Sequence, residues 1–208
     1  MQSLYELVHR MPRPLLWASL LHAVLAVVCL VLLGTSAEPV MGVHRALKPF
    51  KFAISIALFL ATMGAPIPCL SISSTTKSVL TWVFLLTMLA EMLPIMAQAL
   101  RGTTSHFNVR GAANSVLWNV MFVAIVLATL AMGYVTFVAT LRPLLSEAGL
   151  PIAPLMAFAW RAGLFLLLLT PVSGFAMGSR SQHSVGGPDG GIGLPFVNWS
   201  VQYGDLRV

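Results

Sequence analysis

The sequence predicts an all-α fold: a polytopic membrane bundle of about five transmembrane helices over residues 1–178, followed by a glycine-rich polar tail over 179–208. Three observations carry this. Hydrophobic residues make up 58% of the 208 positions and charged residues 9%, against roughly 25% charged in an ordinary soluble domain. Mean hydropathy is +0.88. The charges also fall singly between apolar runs long enough to cross a hydrocarbon core, which takes about 20 helical residues. The net charge of +6 therefore describes basic membrane flanks. With no run of basic residues, it does not point to nucleic acid.

The first predicted helix covers 15–33, with Pro14 before it and Gly34 after it. A signal peptide is the rival reading, because Arg10 and Arg13 precede the segment and Thr35-Ser36-Ala37 supplies small residues. An apolar run of this length exceeds the 7–15 residues of a signal h-region, which favours a retained helix. The second helix covers 50–67, entered past Lys48 and Lys51 and ended by Pro66 and Pro68. The third, 79–100, contains Glu91 and Pro94. The fourth covers 116–141. For the fifth two readings stand: a helix over 152–177 with Arg161 inside it, or a helix from Ala162 with Trp160 and Arg161 as an interfacial anchor.

Five crossings put Arg10, Arg13, Lys77 and Arg142 on one side. Arg45, Lys48, Lys51, Arg101, Arg110, Arg180 and Arg207 fall on the other, which makes that second side the better cytoplasmic candidate. It also receives His44, His106 and His183. Imidazole and guanidinium groups gathered at one mouth suit an anionic or protonatable ligand, although short loops collect polar residues for no functional reason.

Ionisable side chains at bilayer depth are costly unless paired or hydrated, which singles out Glu91, Arg161 and His22. Thr87, Glu91, Pro94 and Gln98 recur at i, i+4, i+7 and i+11 and share one helix face. On the long-helix reading Glu91 and Arg161 each lie about 13 Å from opposite membrane surfaces, so they are at similar depth and able to pair. Such a pair is either structural or part of a polar path; the alternative is an interfacial Arg161 with Glu91 protonated or reached by water. His22 shares a stripe with Ser19, Ala23, Ala26 and Cys29, which reads as the packing side of the first helix.

Ala53, Ala57, Ala61 and Ala65 form a small-residue row on the second helix, and Ala124, Ala128 and Ala131 a similar one on the fourth. Both allow close helix approach, within the chain or in a homo- or hetero-oligomer. Met88, Met92 and Met96 read as gap-filling core rather than copper ligands, and Cys29 and Cys69 as small hydrophobes. No metal site and no cofactor is predicted. Haem b is the alternative weighed at His22, but no second histidine falls within a predicted membrane segment.

The tail closes on the segment GGPDGGIGLPFVNWSVQYGDLRV. It resembles a segment of uncharacterised multi-pass bacterial inner-membrane proteins in which a further apolar segment follows. The resemblance covers about a tenth of the chain and implies a location in the bacterial inner membrane but no activity. An abrupt stop after a long polar segment likewise reads as a loop awaiting another helix.

No nucleophile motif, P-loop, HExxH or CxxC occurs, and no catalytic residue is assigned. The function expected is a non-enzymatic membrane protein whose polar interior, lined by Glu91, Arg161, Gln98 and His22, opens toward His106 and His183 and binds or passes a small polar or ionic ligand or protons. The alternatives are a membrane redox or haem-binding subunit or enzyme, and a purely structural subunit of a membrane complex.

Overall fold

Helix α1 (Arg13–Leu32) opens at Pro14, whose fixed φ suits a first helical turn. A short hairpin, β1 (Pro39–Val40) against β2 (Val43–His44), leads into α2 (Leu47–Gly64). A 3₁₀ turn at Ile67–Cys69 precedes α3 (Ser74–Leu100), and α4 (Ala112–Leu141), α5 (Pro154–Leu169) and α6 (Pro171–Arg180) follow. The computed structural model describes residues 8–40, 43–146, 148–180, 199–200 and 205–206. At the end of the chain β3 (Trp199–Ser200) pairs antiparallel with β4 (Asp205–Leu206); the glycine-rich stretch between α6 and β3 lies outside the described residues.

Four helices, α1 to α4, are long and apolar enough to cross a membrane, α2 counted together with the turn that follows it. The fifth predicted segment is helical, but in two pieces. Pro171 has no N–H to give to the carbonyl of Leu167. That carbonyl instead accepts from Thr170 N at 3.1 Å and Thr170 Oγ1 at 2.8 Å, and regular α-helix resumes only at Pro171. The 16 residues of α5 rise about 24 Å, short of a hydrocarbon core near 30 Å.

Successive helices pack side by side: α1 on α2, α2 on α3, α3 on α4 and α4 on α5, with α1 also reaching α3. The bundle turns a broad apolar surface outward, as lipid contact requires. Leu21, Val24, Val27 and Val31 of α1 are exposed, whereas Leu15, Ala18, His22, Ala26 and Cys29 face inward. The inward stripe therefore includes Ala18 but not Ala23, which is exposed.

The alanine row of α2 is filled within the chain. Ala53 and Ala57 are buried, and Ser19 Oγ of α1 donates to Ala57 O at 2.8 Å. Closest approach comes at Gly64, where an added Cβ would lie 2.7 Å from Met11 Cε and 3.6 Å from Leu15 Cβ. Gly64→Ala is expected to be tolerated, since the Met11 methyl can swing away and alanine favours helix by about 1 kcal/mol. Gly64→Val forces branched atoms onto the fully buried Leu15 and should cost 1–3 kcal/mol, the usual range for overpacking. Thermal denaturation of the two variants in detergent checks the difference.

On the face predicted to carry Lys77 and Arg142, the connections join. Leu145 N donates to Cys69 O at 2.8 Å, Arg142 Nη1 to Ser71 O at 3.0 Å, and Lys77 Nζ to Pro68 O at 2.6 Å.

Candidate functional site: a carboxylate in an aromatic cavity

The expected polar face of α3 is buried throughout: Thr87, Glu91, Pro94 and Gln98 all turn inward. Thr87 Oγ1 is satisfied locally by Val83 O at 2.7 Å. The helix continues through Pro94 without a break. The four residues nevertheless divide between two environments.

Gln98, fully buried, belongs to a polar clasp between the end of α3 and the start of α4. Its Nε2 donates to Asn114 Oδ1 at 2.9 Å, Arg101 Nη1 donates to Gln98 Oε1 at 2.9 Å and to Asn114 Oδ1 at 3.1 Å, and Asn114 Nδ2 donates to Arg110 O at 2.7 Å. This network is internally satisfied and holds the turn between the two helices.

Glu91 faces a cavity of about 500 Å³. The cavity lies where α2 and α4, each packed on α3, stand apart from one another. Phe52, Ser55, Ile56 and Phe59 line it from α2, at i, i+3, i+4 and i+7, a single helix face. Trp118, Met121, Phe122, Ile125 and Met132 line it from α4 in the same register. Thr170, Pro171, Gly174 and Phe175 close it from the junction of α5 and α6. A break between two apolar helical pieces thus borders the cavity.

At the end nearest the α3–α4 connection the wall becomes a ring cluster. The His106 ring lies 5.4 Å from Phe52 and 5.6 Å from Trp118 between centroids, and Phe107 lies 4.7 Å from Trp118. Phe107 holds a left-handed backbone, φ 57°, an uncommon conformation for a bulky residue that persists only where its surroundings enforce it. Ser105 Oγ lies 3.1 Å from His106 Nδ1.

Glu91 is buried, with 5% of the residue exposed, and its carboxyl group, open to the cavity, makes no hydrogen bond or ion pair among the described residues. Its electrostatic partner is Lys48. That side chain lies in the first turn of α2 with Nζ 5.7 Å from the centre of the Phe52 ring. Nine residues separate Glu91 from the end of α3, so the carboxylate sits about 13 Å below the lysine's end of the bundle.

The pairing of Glu91 with Arg161 is not formed. Arg161 Nε donates to Ala139 O at 2.7 Å and Nη2 reaches Arg142 O at 3.5 Å. The guanidinium thus caps the C-terminus of α4 at the opposite end of the bundle, the position favoured for a cation by the helix dipole. The expectation of matching depth ignored the nearer acceptors, the terminal carbonyls of a neighbouring helix, which hold Arg161 at the end of α4. His22 is satisfied within its own helix, with Nδ1 donating to Ala18 O at 2.7 Å. His44 ties the loop after α1, with Nε2 donating to Thr35 O at 3.0 Å and Nδ1 accepting from Ala46 N at 3.1 Å. His183 lies outside the described residues. Of the six candidates, the structure brings Glu91 and His106 to one cavity.

Lys48 and the ring cluster were missed by sequence reasoning, which treated Lys48 as a membrane flank and did not follow the aromatic residues. The i, i+4 spacing of Lys48 with Phe52 and of Trp118 with Phe122 was the available signal. The fold that results fits a multi-pass integral membrane protein with one carboxylate facing an aromatic cavity. The chain matches no family model, no curated protein and no solved structure.

Proposed function

We propose that the protein is a non-enzymatic membrane component, placed in a bacterial inner membrane, whose intramembrane cavity holds a small ligand or a proton at Glu91. One observation carries the reading. A carboxyl group at bilayer depth is costly to bury without hydrogen bonds, and Glu91 is buried facing a cavity large enough for a drug-sized ligand. A structural glutamate is expected to be satisfied by its neighbours, as Gln98 and Arg161 are here. His106 and Ser105, at the loop end of the cavity, supply the polar entrance.

The test uses dicyclohexylcarbodiimide, an apolar reagent that adds to carboxyl groups in their acid form: the proton passes to a carbodiimide nitrogen while the carboxylate oxygen bonds the central carbon. With the full chain in lipid nanodiscs, intact-mass analysis should show one fast adduct, mapped to Glu91 and absent from Glu91→Gln. An unreactive Glu91, with Glu6, Glu38 or Glu147 modified instead, would overturn the reading.

A further inference from the structure

We propose that the cavity is selective for organic cations with an apolar body, such as lipophilic amines or quaternary ammonium and phosphonium ions, whose charged centre sits beside Glu91. This deepens the ligand-binding reading of the cavity and rests on it. The wall holds two ionisable side chains, Glu91 and His106. Glu91 is the one carboxylate among its lining residues, and no lysine or arginine lines it. An anion entering the cavity meets a like charge at Glu91. A neutral ligand without a hydrogen-bond donor leaves the carboxylate as it was. A cation adds a coulombic attraction that is strong in a low-dielectric space.

The remainder of the wall suits the same class. Ring faces carry negative quadrupole charge and attract cations within about 6 Å of their centres. Phe52, Phe59, Trp118 and Phe122 line the same cavity as the carboxylate, and Met88, Met121 and Met132 add polarizable thioethers. The end of α5 borders the cavity at Thr170, and a helix C-terminus presents partial negative charge. Phe52 already serves this chemistry for one cation, Lys48, which lies over its ring without lining the cavity. A bound cation and Lys48 therefore share one carboxylate, and the ligand must compete with the resident charge.

That competition gives the proposal a readout that a merely structural Glu91 does not produce. Tritiated tetraphenylphosphonium is the probe, with uncharged triphenylphosphine as its apolar control, both measured by equilibrium dialysis against the full chain in nanodiscs. Tetraphenylphosphonium is expected to bind at least tenfold tighter than the control. Glu91→Gln should abolish this preference and Glu91→Asp keep part of it. Trp118→Ala should weaken cation binding threefold to tenfold, with Trp118→Phe closer to the natural protein. Lys48→Met should tighten it several-fold, and in the unaltered protein the cation should protect Glu91 from carbodiimide. Equal binding of cation and control, or loss of affinity in Lys48→Met, overturns the proposal. If carbodiimide still labels Glu91 while tetraphenylphosphonium neither binds nor protects, the cation selectivity falls and the ligand cavity stands. If Glu91 is not labelled at all, the underlying reading fails with it.

Discussion

Glu91→Lys is expected to destabilise the protein by about 3 kcal/mol, the scale of placing a lysine at bilayer depth, and by clearly more than Glu91→Gln. Glutamine keeps the shape of the side chain and discards its charge. Lysine turns the attraction of Lys48 for position 91 into repulsion, while adding the burial cost of a new ion. The exchange Lys48→Glu/Glu91→Lys should then recover at least half of the loss, because opposite charges again occupy the two positions. Melting temperature and the monodisperse fraction after detergent extraction are the measurements. If Glu91→Lys and Glu91→Gln melt together, the two positions are not coupled; if the exchange fails to recover, the effect lies in the local fit of the cavity.

That coupling shows how far the sequence could be followed. Glu91 was legible because charge is scarce in this chain and a carboxylate in the middle of an apolar run has few inexpensive places to go. The face it shares with Thr87, Pro94 and Gln98 followed from helical period alone, and all four are buried. Its partner was not legible. Sequence gives depth along a helix but not rotation between helices, and Arg161 and Lys48 were both within reach of a depth argument. The structure resolves this by what else each cation can bond. Arg161 finds the carbonyls ending α4, whereas Lys48 starts α2 with its ammonium group over Phe52.

The helices were legible for the same reason as the charge deficit, since each long apolar run must bury its backbone polar groups internally in lipid. Boundaries were less so. Observed α2 begins at Leu47, earlier than Phe50, so Lys48 and Lys51 lie inside the helix instead of ahead of it. The proline that splits the fifth segment was visible at position 171, but apolarity alone ran the segment through it. The cavity, however, had left a trace. On one face α2 carries Phe52 and Phe59 and α4 carries Trp118, Met121, Phe122 and Met132, a pattern that looks like ordinary core until the two faces prove to stand apart.

Phe84→Ala is the variant that separates packing from solvent transfer as the force holding these helices together. Phe84 is fully buried, with its ring edge-on to Phe59 at 5.6 Å and 82°. In water a buried Phe→Ala change costs about 3–5 kcal/mol, part from lost transfer energy and part from the void. Between lipid-solvated helices the transfer part is small, because lipid tails are as apolar as the core. What remains is the void: roughly 100 Å³ at about 24 cal/mol per Å³ gives about 2 kcal/mol. Leu86 lies on the lipid-facing side of the same helix, 58% exposed, and Leu86→Ala should change stability by under about 0.5 kcal/mol. Reversible unfolding in mixed micelles of detergent and dodecyl sulfate measures both. A Phe84→Ala loss near zero would mean that Phe59 and the adjoining cavity collapse into the void. A loss above about 4 kcal/mol would mean that solvent transfer still contributes, and that α3 does not pass through lipid at this depth.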